Sequence, residues 1–141
     1  MDAHLMLADY AAVSEGKLTI VGGGWDYRFP EPAPHAVVAV LTAGWNETGN
    51  HSATLVLTDQ DGYPMSGPDG QGVRVEATFS IGRVPWAPQG APSTLPLAVN
   101  VGPLPFQAAK RYVWELTVDG TSKPDWQVSF SVIERPAPGA G

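Results

Sequence analysis

Apolar and polar positions alternate along most of this chain. Val73, Val75, Ala77, Phe79 and Ile81 interleave with Arg74, Glu76, Thr78 and Ser80, the period of a half-buried antiparallel strand. Tyr112, Trp114, Leu116 and Val118 repeat the pattern, as do Trp126, Val128, Phe130 and Val132. Between these two runs lies GTSKPD, a turn by composition, so they predict a hairpin. Ala53, Leu55 and Leu57 form another face, with Thr54 and Thr58 opposite. Leu5 and Leu7 start a first strand, Leu18 and Ile20 lie on a second, and Leu97, Val99 and Val101 mark one more. The run AVVAVL, Ala36 to Leu41, is apolar on both faces and suits a central strand.

Pro, Gly or β-branched clusters interrupt every window that could form an amphipathic helix. Many short strands separated by regular turn signals predict an all-β fold, an antiparallel β-sandwich. FQAAKRYVWELTV points to an immunoglobulin-like or related Greek-key version. In that fold a Tyr near the start of the penultimate strand sends its hydroxyl back to nearby backbone, and Tyr112 is placed to do so. We expect a single domain over residues 1–135 and a loose tail over 136–141, whose PAPGAG has nothing to bury.

The strand GKLTIV runs into Gly22, Gly23 and Gly24 and leaves on Trp25. A dinucleotide loop needs G-x-G-x-x-G followed by a helix, and a Walker loop needs Gly-Lys-Ser/Thr. Here aromatics and prolines follow instead. Glycine inside a strand marks a bulge, a bend or a close approach. The run therefore reads as a corner where the strand bends and crosses between sheets, with Trp25 folding over the bare glycine surface.

From Val84 to Ala109 there is no charged residue, and Pro85, Pro88, Pro92, Pro96, Pro103 and Pro105 interrupt the segment. It can be neither a membrane helix nor an unbroken central strand. Its first half, residues 84–96, reads as a long loop carrying Trp86 outward. An uncharged surface bearing an aromatic suits contact with another protein.

Composition narrows the partners. The net charge is −6 and the basic residues are scattered, which argues against nucleic acid. There is no cysteine, so disulfides and thiol chemistry are excluded, and a reducing compartment is favoured. The start, MDAHLMLADY, has no basic region, and the longest apolar run is far short of the about 20 residues that cross a bilayer. We expect a cytoplasmic protein with no membrane insertion.

Candidate chemistry is sparse. Asp59-x-Asp61-Gly62 resembles the start of a calcium loop, but the twelve-residue frame ends on Gly70 where a Glu is needed. Asp-Gly is also a turn signal, and a turn is expected. His4, His35 and His51 lack metal-ligand spacing and read as residues at strand ends. No nucleophile elbow is present. Asp9 follows Leu5 and Leu7 on one strand face, so it is expected to point inward as an anchor for a loop. No catalytic residue, cofactor or metal site is expected.

Of five tryptophans, Trp114 and Trp126 fall in alternating strands and read as core. Trp25, Trp45 and Trp86, with Pro85 and Pro88, are the candidate contact residues. Exposed indoles also suit stacking on sugars, so a carbohydrate-binding module using Trp45 and Trp86 is the second reading. An enzyme with an unrecognised carboxylate site is the third.

The opening LADYAAVSEGKLTIVGGGW, residues 7–25, resembles the signature of an uncharacterised family of small bacterial, mainly actinobacterial, β-proteins. The likeness extends through SIGRVPWAPQGAPSTLPLAVNVGPLPF to RYVWELTVDG. It implies a β-sandwich and a bacterial source, and brings no catalytic residue or cofactor. The expected function is a non-enzymatic module that binds protein, with further copies of itself among the candidate partners.

Overall fold

The computed structural model describes residues 1–136, and no helix forms among them. Most of the segment expected to be a tail, residues 137–141, lies outside the described residues. The strands are β1 (Asp2–Ser14), β2 (Lys17–Gly23), β3 (Tyr27–Arg28), β4 (His35–Ala43), β5 (Gly49–Asp59), β6 (Arg74–Ile81), β7 (Ser93–Val101), β8 (Lys110–Val118) and β9 (Gln127–Val132). They form a four-stranded sheet, β2-β1-β4-β7, and a five-stranded sheet, β3-β9-β8-β5-β6. Pairing is antiparallel except for β3 along β9. The neighbours β1-β4-β7 and β9-β8-β5 reproduce the two sheets of an immunoglobulin-like sandwich.

Alternation along the strands builds the core. Leu7 on β1, Val37, Ala39 and Leu41 on β4, Leu55 and Leu57 on β5, and Trp114 and Leu116 on β8 all face the space between the sheets. Trp126 precedes β9 and is also buried there. The second apolar face of β4 is explained by a separate cluster. Ala36 and Val38, with Val40 beside them, are covered by Ala8, Ala11, Leu18 and Ile20 of the β1–β2 ribbon. The Asn100 side chain pins that ribbon to β7, donating to the Ala11 carbonyl at 2.7 Å and accepting from its amide at 3.3 Å.

The glycine run is where the chain changes sheets. β2 ends on Gly23 in the first sheet, and β3 begins at Tyr27 in the second. Gly22 and Gly24 take φ of 59° and 86°, which side-chain-bearing residues adopt only with strain. The Gly24 amide still donates to the Leu7 carbonyl at 2.8 Å, and the Ser131 amide already donates to Asp26 at 2.9 Å. The turn from one sheet to the other therefore takes very few residues.

Two expectations about this corner are corrected. Asp9 is exposed, not inward. β1 leaves β4 after the Ala8–Ala36 pair, and Asp9 falls between the Ala8–Gly23 and Tyr10–Val21 pairs of the ribbon. Its carboxylate occupies the space a Gly22 Cβ would need. Trp25 does not lie over the glycines; Ile20 and Met6 crowd Gly23 instead. The Trp25 ring packs edge-on against His35 and Phe130, with centroids 6.0 and 5.8 Å away.

Candidate protein-contact surface

A sandwich made of two open sheets has free edges, and each exposes backbone donors and acceptors that invite pairing. Three of the edges here carry charge. β2 opens on Lys17, and β6 carries Arg74 and Glu76, paired at 2.8 Å. β3 carries Arg28, with the Arg135–Glu31 pair at 2.6 Å nearby. β7 (STLPLAVNV) has no charge, and Pro96 is its one protective residue.

The strand starts earlier than the sequence suggests. Residues 93–96 belong to β7 and not to the preceding loop, because an edge strand tolerates a proline whose missing N–H would face solvent. Pro96 sits opposite Val40 in unbroken register. The Leu7 carbonyl faces Gly24 and so points away from β4, which fixes the alternation across β1, β4 and β7. Backbone groups of Leu95, Leu97 and Val99 face β4; those of Thr94, Pro96, Ala98 and Asn100 point outward.

Beside this edge the two sheets gape slightly. A cavity of about 80 Å³ is lined by apolar side chains, among them Val75 and Ala77 of β6 and Leu97 and Val99 of β7. The preceding loop extends the uncharged surface. The Ala87 amide bonds to the Val84 carbonyl at 3.0 Å and the Ala91 amide to the Pro88 carbonyl at 3.1 Å, making two successive turns. Pro85 supplies the fixed φ favoured at the second position of the first turn, and Gly90, at the third position of the next, has the positive φ of 82° required by a type II turn. Trp86 at the tip of the first turn is 81% exposed. Val84, Pro85 and Pro88 are exposed beside it.

The other tryptophan candidates are engaged internally. The Arg83 guanidinium lies 3.7 Å from the Trp45 ring centroid and donates to the Trp45 carbonyl. Trp25 is half-buried against the core, its Nε1 enclosed without an acceptor. Trp45 and Trp86 therefore do not form a shared open platform. Tyr112 is buried, and its hydroxyl accepts from the Gln107 amide at 3.0 Å.

Polar clusters elsewhere are tied up in structural bonds. His51 meets Asp119 through Nδ1 at 2.6 Å and the Glu47 carbonyl through Nε2 at 2.7 Å. Hydrogen bonding to Asp119, then to Glu47, raises its pKa. Ser52 and Ser80 line the same groove, but the imidazole nitrogen that a nucleophilic serine would need is facing a carbonyl. Asp59 Oδ1 accepts from the Asp61 and Tyr63 amides at 2.9 and 3.0 Å, closing a turn.

A shallow depression of about 410 Å³ is lined by Asp9, Trp25, Tyr27, Phe29 and Arg28 among others. There Arg28 donates to the carbonyls of Glu31 and Ala33 at 3.3 and 3.1 Å. Burial lowers its pKa, with Asp9 and Glu31 opposing. Behind it, burial and then the Arg28 charge push the His35 pKa down to about 4.

Sequence reasoning found the Trp86 loop and missed the free edge that continues it. The signal was present: nine residues of STLPLAVNV without a charge and with one internal proline. The His35–Trp114 contact was also missed, since nothing local links two residues on different sheets. No curated protein and no solved structure matches this chain. A family model does match, over residues 3–133, from the start of β1 to just past β9. The chain belongs to DUF6941, a family of unknown function.

Proposed function

We propose that this chain is a non-enzymatic β-sandwich module that acts by binding protein through the uncharged strip formed by the 84–92 loop and the β7 edge. One observation carries the reading: a free strand edge without charge continues directly from a loop that holds Trp86 81% exposed. Edge strands are usually guarded by charge, proline, bulges or cover, and β7 has its proline alone; large exposed aromatics concentrate at contact surfaces. A nucleic-acid partner fits poorly with a net charge of −6. The carbohydrate reading loses a platform, because Arg83 covers Trp45. The enzyme reading loses one acid–base pair, because His51 and Asp119 serve each other and nearby backbone. The lack of cysteine suits a reducing cytoplasm, and the resemblance described above suggests a bacterial one.

The test is photo-crosslinking in the source cell with a photoreactive side chain at position 86. The expected result is a discrete adduct that excess wild-type protein competes away and Trp86→Ala protein does not. Absence of any discrete protein adduct contradicts the proposal. Trp86→Ala should leave stability within about 0.5 kcal/mol, as for an exposed loop residue, so lost competition would not reflect unfolding.

A further inference from the structure

We infer that the β7 edge is filled by a second copy of this chain, β7 pairing antiparallel with β7 across a two-fold axis to join two four-stranded sheets into one. The inference rests on the protein-binding reading above and names the partner.

Charge decides which edge a second copy can use. Two copies each carrying −6 repel over most of their surfaces. A two-fold axis also brings a strand against itself, so any charge on it meets its own kind or requires a mate in exact register. β7 is the edge on which this problem does not arise. β6 has its charges paired with each other, and β3 spans two residues.

The backbone supplies the register. The outward donors are the amides of Thr94, Ala98 and Asn100, and the outward acceptors include the Pro96 carbonyl. An axis through Ala98 sets the two Ala98 residues to exchange both their bonds. Pro96 then lies opposite Asn100 of the second copy, accepting from its amide and donating nothing. Each end of the pairing thus loses one bond to proline and keeps the others. Any register that overlaps both prolines forfeits two bonds; this one sets them toward the ends and keeps both bonds of the central Ala98 pair, so proline biases the alignment without blocking it. Strand pairing here also brings a second copy beside the cavity that Leu97 and Val99 line with Val75 and Ala77, removing apolar surface from water.

The experiment is sedimentation equilibrium of the full chain from about 1 μM to about 1 mM, a range that spans weak association. Wild type is expected to pass from monomer to dimer. Ala98→Pro removes an amide that the monomer's own ladder does not use, and Thr94→Lys adds an edge charge at an exposed position. Each should raise the dissociation constant about tenfold or more. If Ala98→Pro alters the far-ultraviolet dichroism, Thr94→Lys decides. A wild type monomeric throughout, or a dimer unmoved by Thr94→Lys and by a folded Ala98→Pro, overturns the inference. A monomer that still gives a discrete adduct with a different protein from position 86 overturns self-pairing alone. A monomer with no adduct overturns the binding reading as well.

Discussion

The Trp114 indole donates to His35 Nε2 at 3.0 Å, joining β8 of one sheet to β4 of the other inside the core. Trp114 stands two residues after Tyr112, where an antibody domain carries the cysteine of its inter-sheet disulfide. This cysteine-free chain thus has a buried hydrogen bond at the place of a covalent link. Trp offers only a donor, so Nε2 must be unprotonated and the neutral ring carries its proton on Nδ1. That nitrogen faces Arg28 Nη1 at 3.5 Å, which makes a charged ring doubly unfavourable.

Acid stability follows from this arrangement. The folded pKa of His35 is pushed down to about 4 from 6.5, so between those values the unfolded chain binds a proton that the folded chain refuses. Stability therefore rises with pH through this window and falls on acidification, by about 3 kcal/mol between about pH 7 and about pH 4. His35→Phe should cost about 1–3 kcal/mol at neutral pH, because the Trp114 N–H is left unpaired. It should also flatten the acid limb. Urea titrations at several pH values check this; an equally steep acid limb in the variant would assign it to other groups.

The sheet-crossing corner makes a graded prediction. Gly22→Ala forces a side chain into φ of 59° and against the Asp9 carboxylate, whereas at Gly24 the strain of φ 86° acts with open space around it. Both should destabilise by about 1–2 kcal/mol from the backbone alone, with Gly22→Ala the worse. Adding Asp9→Ala should recover part of the Gly22→Ala loss and none of the Gly24→Ala loss. Thermal melts of the two double variants against their single parents read the difference. Equal recovery in both would mean that Asp9 does not crowd Gly22.

His51 should act in the opposite pH direction from His35. Its folded pKa is raised, first by Asp119 and then by the Glu47 carbonyl. Its contribution is therefore complete below the unfolded value near 6.5 and fades as pH rises through the folded value. The stability gap between wild type and His51→Gln should be widest near about pH 6 and narrower near about pH 9. A gap that widens with pH would mean that the ring is not bound as a cation between the two loops.

Strand content was legible because alternation is a local property, and so was the glycine corner, where composition and the absence of a following helix pointed the same way. Tyr112 was legible through its place before a strongly alternating run. The inward reading of Asp9 extended the Leu5–Leu7 alternation past the point where β1 changes partner, a long-range event with no local mark. Trp25 and Trp45 looked free because sequence shows which residues end strands and not which arginine or core ring lies above them. The β7 edge was obscured by Pro96, which reads as a loop until one sees that β4 is its single neighbour in the sheet.

Amide hydrogen exchange resolved to single residues of β7, at low and high protein concentration, tests the contact surface most directly. The Leu95, Leu97 and Val99 amides, which face β4, should be protected at both. Those of Ala98 and Asn100 should exchange fast when dilute and slow by about tenfold or more when concentrated. Fast exchange of these two at every concentration, with the Leu95, Leu97 and Val99 amides protected, would contradict pairing at this edge.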